Sequence, residues 1–246
     1  AVLVVVGILD DWKGLDFKIK FAGQILAALI VVFYGGIEIT QLGNLLPESM
    51  ILPRWASAIL TVLFLVGVTN AINLSDGLDG LAGGICMLIF GLIGYLAYIE
   101  QHLNIAIMSA SLMGVCFGFL RFNTFPATLF MGDTGSMLLG FSAACFSLIL
   151  TQVETALSPL LPLIILGFPL LDTLAVMAQR ISEGRSPFAA DKKHFHHRLL
   201  RMGLFQTEAV FVIYVIQTLL IVFAYIFRFN SEWFLLLSYG FFAVTV

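Results

Sequence analysis

Eight apolar runs, each long enough to cross a lipid bilayer, leave this chain little choice of fold. They lie near 21–37, 56–72, 80–99, 103–120, 136–152, 158–178, 209–227 and 232–246, and a spanning helix needs roughly 17–25 such residues. Lipid offers backbone N–H and C=O groups no partners, so each run is predicted to be a helix. Composition agrees. Only 11% of the residues are charged and 60% are hydrophobic, against about 25% charged in a soluble domain. The expected fold class is all-α: a polytopic integral membrane protein with about eight full spans plus a partial N-terminal one, a single integral domain over 1–246 and no soluble domain. Residues 1–9 are apolar but too short to cross, and they lack the basic flank and small-residue cleavage site of a signal peptide. They read as the tail of a helix that begins earlier, with further helices expected ahead.

Four polar signatures interrupt the apolar runs. They are Gly-Ile-Leu-Asp-Asp-Trp-Lys at 7–13, Asn-Ala-Ile-Asn-Leu-Ser-Asp-Gly-Leu-Asp-Gly-Leu-Ala-Gly-Gly at 70–84, Phe-Met-Gly-Asp-Thr-Gly-Ser at 130–136 and Asp-Lys-Lys-His-Phe-His-His-Arg at 191–198. Each span carries the chain across the bilayer, so 10–20, 73–79, 121–135 and 179–206 share one side. Ten of the twelve Lys and Arg fall there, and only Arg54 and Arg228 fall on the other. The positive-inside rule makes the first side cytoplasmic, where nucleotides and Mg²⁺ are available. The opposite loop near 38–55 carries Glu38 and Glu48 but no clustered site, and reads as a connector. Cys86, Cys116 and Cys145 lie inside spans without metal-type spacing and read as small buried apolar residues.

The signatures suggest an oxygen-rich site. Asp10 and Asp11 stand where a helix leaves the membrane, followed by Lys13, Lys18 and Lys20. Adjacent carboxylates repel, and they make better sense beside a divalent cation or a lysine-held phosphate than as a bare helix end. Asn70 and Asn73 share a helical face by their spacing of three, and Asp76 and Asp79 repeat it. Such hard oxygen donors suit Mg²⁺ or Mn²⁺; a pair of helix caps would account for one Asn and one Asp, not four residues. Asp133, with Thr134 and Ser136, could cap a helix. It could also share a helix N-terminus with an anion through a bridging metal. His194, His196 and His197 at i, i+2, i+3 share no helical face. With Lys192, Lys193 and Arg198 they fit an anion-binding basic loop better than zinc. Asp172 lies near the end of a span, where a carboxylate is functional by default or pairs with Arg180. An acidic metal site beside a basic loop, both at one leaflet, suits phosphoryl chemistry between a soluble nucleotide and a lipid. A carrier would place its polar groups nearer mid-membrane.

At these residues the chain resembles the polyprenyl-phosphate N-acetylhexosamine-1-phosphate transferases, the family that includes the teichoic-acid and enterobacterial-antigen initiating enzymes and the peptidoglycan translocase. All four signatures occur in the family's order. Pro187-Phe188 followed by Asp191 and His194-Phe195-His196-His197-Arg198 resembles the teichoic-acid and antigen-initiating branch. The resemblance implies transfer of a sugar-1-phosphate, N-acetylglucosamine-1-phosphate first among candidates, from a UDP-N-acetylhexosamine to undecaprenyl phosphate at the cytoplasmic face of a bacterial plasma membrane, releasing UMP and initiating a cell-envelope polysaccharide. It implies that Asp133 and Asn73 hold Mg²⁺ (or Mn²⁺), and that Lys20 contacts the diphosphate. Asp10 and Asp11 form the catalytic pair, with Asp76 and Asp79 as nucleotide- or metal-proximal acids. Asn70, His194, His196, His197 and Arg198 then belong to substrate binding. The partners implied are these two substrates and the bilayer, with no nucleic acid; the chain could pair as a homodimer. A lipid-linked carrier or flippase and a phospho-MurNAc-pentapeptide transferase are the alternatives.

Overall fold

A computed structural model describes residues 1–47, 50–153, 155–187 and 193–245, without the side chain of Thr245. Asp191 and Lys192 of the fourth signature lie outside the described residues. Helix accounts for 75% of the structure, and no strand occurs among the described residues. The helices are α1 (Val2–Lys13), α2 (Phe17–Phe33), α3 (Arg54–Leu74), α4 (Leu81–Ile99), α5 (Leu103–Asn123), α6 (Gly132–Gln152), α7 (Leu161–Ile165), α8 (Gly167–Ser182), α9 (Phe195–Arg201), α10 (Gln206–Ile226) and α11 (Glu232–Thr245). Five of them, α3, α4, α5, α6 and α10, are long and apolar enough to cross a membrane, which gives a multi-pass organisation. The runs at 21–37 and 232–246 form helices of 17 and 14 residues.

The run at 158–178 departs from expectation, because it is two helices rather than one span. Pro162 opens α7, and the chain leaves helical geometry at Leu166 (φ −92°, ψ 18°) before α8 begins. Pro169 has no N–H to give the carbonyl of Ile165, four residues back. A broken helix buried in an apolar bundle must satisfy its freed backbone groups from elsewhere. Gln217 of α10 does this. Its Nε2 donates to Ile165 O at 2.8 Å and its Oε1 accepts from Phe168 N at 3.3 Å. Tyr239 of α11 donates its hydroxyl to Gly167 O at 3.0 Å. Gln217 is fully buried, so Gln217→Leu should leave two unpaired backbone groups and destabilise the fold by about 1–3 kcal/mol for each. A lowered unfolding midpoint in detergent is the expected reading; an unchanged midpoint contradicts this account of the break.

α4 and α6 form the centre, with 61% and 67% of their most apolar windows buried, against 17% for α5. Phe90, Ile85, Ile89 and Ile93 of α4 meet Leu65 and Ile72 of α3 and Leu148 and Leu150 of α6 in one continuous core. In lipid such packing depends on close approach rather than on escape from water. Gly140 of α6 provides it, lying against the Thr69 backbone of α3. Cys86, Cys116 and Cys145 are free and buried.

Polar contacts gather at the two ends of the bundle. At one end Gln152 reaches the Thr40 and Gln41 backbone, and Glu232 accepts from Asn44 N and from the Ser158 hydroxyl. At the other end the four signatures converge.

Candidate active site

The site begins with a reversal of the chain. α1 ends at Gly14, whose left-handed φ of 63° suits glycine, and Asp16 then caps α2 by accepting from Lys18 N at 2.8 Å. The turn brings Leu15 N back onto Asp10 Oδ1 at 2.7 Å and folds Lys20, one turn into α2, over the end of α1. Lys20 Nζ lies 2.7 Å from Asp10 Oδ2 and 2.8 Å from Asp133 Oδ2. Asn73, at the end of α3, donates from Nδ2 to Asp133 Oδ1 at 3.1 Å and to Ser136 Oγ at 2.8 Å. One ammonium and one carboxylate thus join four helices, α1, α2, α3 and α6.

Asp11 does different work from its neighbour. Its carboxylate accepts from Asp133 N (2.8 Å), Thr134 N (3.2 Å) and Thr134 Oγ1 (2.6 Å), and so caps α6 from outside. Negative charge at a helix N-terminus satisfies its orphan N–H groups. Gly132 makes this possible. It has φ 65°, and a Cβ there would crowd both Asp11 oxygens.

Burial alone would raise the Asp10 carboxyl. Its contacts with Lys20 and the Leu15 N–H, together with the Lys20 charge, outweigh it and hold the group below the usual carboxylate range. Burial likewise disfavours the Lys20 charge, but the two carboxylates hold its ammonium above the usual lysine value. Asp76 is the opposite case. Burial first, then the charges of Asp133 and Asp79, push its carboxyl up to about 6.

The turn between α3 and α4 carries Asp76 and Asp79 and is clamped from three sides. Asp79 Oδ2 accepts from Ala127 N at 3.0 Å. Asn123 accepts from Gly80 N at 3.0 Å and donates to Leu129 O at 2.8 Å, and Tyr214 of α10 donates to Gly80 O at 2.5 Å. His196 presses its ring on Gly77, where any side chain would overlap the imidazole. The fourth signature therefore touches the second directly.

The histidines form a short helix rather than a loop. His194 is the N-cap of α9, His196 and His197 lie within it, and the rings follow one another at centroid distances of 5.9 and 4.2 Å. Arg198 is exposed beside them. Burial first, then the charge of His197, push the His196 ring down to about 4. Its ordinary value is about 6.5. Between those values the unfolded chain takes up a proton that the folded one refuses, so this group's contribution is intact above pH 6.5 and is lost as pH falls towards 4. Wild type should thus lose stability across that window relative to His196→Leu. Comparing unfolding midpoints isolates the effect from Asp76, whose raised value acts with the opposite sign. Parallel pH profiles would contradict it.

Asn70 stands apart from the carboxylates. Its Nδ2 donates to Gln24 Oε1 at 2.5 Å and to Val66 O at 2.8 Å, with Gln24 Nε2 returning to Asn70 Oδ1 at 3.4 Å. Gln24 is buried one turn below Lys20 and also reaches Met137 Sδ at 3.4 Å, so this amide pair ties α2 to α3 beneath the site. Sequence reading passed over Gln24, although a lone amide four residues after Lys20 in an apolar run was a signal. Tyr214, Asn123 and Gln217 were missed as well.

The donors gathered here are carboxylate, amide and hydroxyl oxygens, suited to a hard cation. Among the described residues, no three His, Cys, Asp or Glu stand grouped to hold a metal ion. Asp76 is raised first by its burial and then by the neighbouring charges of Asp133 and Asp79.

An all-helical membrane bundle with a lysine-bridged acidic site at one end defines the class, and comparison with known proteins gives the family. The model of glycosyl transferase family 4 matches residues 1–151, and the chain belongs to that family. It is 39% identical over 94% of its length to a Bacillus subtilis (strain 168) protein named probable undecaprenyl-phosphate N-acetylglucosaminyl 1-phosphate transferase, covering 65% of that protein. It is 37% identical over 87% of its length to the decaprenyl-phosphate N-acetylglucosaminephosphotransferase of Mycobacterium tuberculosis (strain ATCC 25618 / H37Rv), covering 58% of it. With the undecaprenyl-phosphate alpha-N-acetylglucosaminyl 1-phosphate transferase of Escherichia coli (strain K12) it shares 30% identity over 97% of its length, covering 67%. The chain thus spans between 58% and 67% of the length of these relatives.

Proposed function

We propose that this protein transfers N-acetylglucosamine-1-phosphate, or a related N-acetylhexosamine-1-phosphate, from a UDP-sugar to undecaprenyl phosphate at the cytoplasmic face of a bacterial plasma membrane, releasing UMP. The observation that carries the reading is the Lys20 ammonium held between Asp10 and Asp133, with Asn73 on the far side of Asp133. Residues from three of the signatures meet there with Lys20. The names of the relatives give the acceptor class and the transferred group, and the positive-inside count supports a cytoplasmic site.

In this reading Lys20 leaves its carboxylates to meet the donor's diphosphate. An ammonium is a compact charge suited to phosphate oxygens. Asp133 and Asn73 would hold Mg²⁺ (or Mn²⁺), with Asp76 nearby; when bound, the ion offsets charge on the diphosphate and on the leaving UMP. Asp11 keeps the start of α6 in place through its three contacts. The lipid phosphate attacks the sugar-linked β-phosphorus, and the bond from that phosphorus to the bridging oxygen breaks. A phosphate monoester has a second pKa of about 6, so the acceptor is largely dianionic at neutral pH and needs no base. Asp10, with Leu15 N–H on one oxygen and Lys20 on the other, orients the site.

Supplying purified protein with UDP-N-acetylglucosamine labelled at its β-phosphorus, undecaprenyl phosphate and Mg²⁺ tests this. The label should pass to the lipid phase as UMP appears. Label left in the aqueous phase with every UDP-N-acetylhexosamine tried would overturn the proposal.

A further inference from the structure

Asp172 belongs to none of the four signatures, yet its carboxylate holds the fourth in place. It lies in α8, nine-tenths buried, and both oxygens are used. Oδ1 accepts from Phe195 N at 2.7 Å, and Oδ2 meets His194 Nδ1 at 2.9 Å. Phe195 opens α9 and His194 is its N-cap. One distant carboxylate therefore caps the helix backbone and grips the cap residue's ring. A helix of seven residues is too short to persist alone, so its position depends on such anchors; the Phe195 ring adds an edge contact with Phe168 at 5.7 Å.

An ionised carboxylate only accepts, so its contact with His194 requires a proton on Nδ1. In the tautomer that donates from Nδ1, the lone pair sits on Nε2. His194 stacks within 9° of parallel on His196, and His196 rests on Gly77, next to Asp76. A line of contacts runs from α8 through two imidazoles to the acidic turn.

We propose that Asp172 is a positioning residue that fixes both the place of α9 and the tautomer of His194, and so sets the histidine face of the site. The inference rests on the transferase reading only for its effect on turnover. Asp172→Asn separates the two roles, because its amide oxygen can still cap Phe195 N while its NH₂ reverses the hydrogen bond to His194.

Three measurements test it. The first is maleimide labelling of a cysteine at Leu199→Cys, a buried position on α9, against the buried native cysteines. Asp172→Ala should label at least tenfold faster than the parent, and Asp172→Asn should stay protected. The second is ¹⁵N spectra of the four histidines. His194 should carry its proton on Nδ1 in wild type and on Nε2 in Asp172→Asn. The third is transfer: Asp172→Asn should lower kcat/KM for the UDP-sugar by up to about 100-fold, the scale of a misplaced substrate-positioning group. A purely structural carboxylate would leave Asp172→Asn fully active. Full activity, unchanged labelling in Asp172→Ala, or one tautomer in both proteins would each overturn the proposal. A wild type that transfers no sugar phosphate would sink the transferase reading, and labelling and spectra would still decide on Asp172.

Discussion

Lys20→Met is expected to cut transfer by about 100- to 1,000-fold and also to weaken the fold. Lys20 Nζ stands within 2.8 Å of Asp10 and Asp133, which come from different helices and have no other cation in contact among the described residues. Without the ammonium, two carboxylates face one another with no cation between them. Removing one partner from a buried ion pair typically costs about 3–5 kcal/mol; the partial exposure of Lys20 and Asp133 places the loss below that range. Transfer should fall by about 100- to 1,000-fold, the usual effect of losing one preorganised group at a charged transition state. Lys20→Arg separates the two consequences. It keeps the charge and most of the stability, but its planar fork cannot reproduce a point contact between two carboxylates, so transfer should remain impaired. An Asp10 or Asp133 variant that restored transfer to Lys20→Met would show that Lys20 serves only to neutralise its neighbours.

Asp10→Asn is expected to lower transfer by about 100-fold at every pH between roughly 6 and 9, as a loss of orientation does. The acceptor phosphate has already given up its proton over most of that range, so alkaline conditions cannot replace what the carboxylate supplies. The Asn side chain could still accept from Leu15 N–H but would lose its charge contact with Lys20. kcat should drop with little change in its pH profile. A defect that closed towards pH 9 would make Asp10 the general base instead.

The parts of this molecule legible in its sequence were those set by local pattern. Most apolar runs became helices within a few residues of their expected limits, because lipid permits little else. Asn73 and Asp133 were placed together by resemblance, and the structure brings them to hydrogen-bond distance. What escaped was decided by partners far away in the chain. Pro162 and Pro169 were local signals that the run could divide, but the break at Leu166 also needs Gln217, about fifty residues later, to satisfy Ile165 and Phe168. Asn70 and Asn73 share a face by spacing, but Gln24 takes the first and leaves the second to Asp133. The histidines looked like a loop because i, i+2, i+3 defines no stripe; Asp172, supplied by another helix, accepts from the first N–H of α9. The glycines of the second signature suggested a tight turn, and one of them, Gly77, also leaves room for His196.

Titration of UDP into the purified protein, with Mg²⁺ and then with EDTA, tests most directly whether the segments joined at Lys20 and Asp133 act as one diphosphate and cation site. UDP should bind at least tenfold more tightly with Mg²⁺, and Asp133→Asn should erase that difference. Equal affinity in Mg²⁺ and EDTA, or a Mg²⁺ effect that survives Asp133→Asn unchanged, would contradict the account.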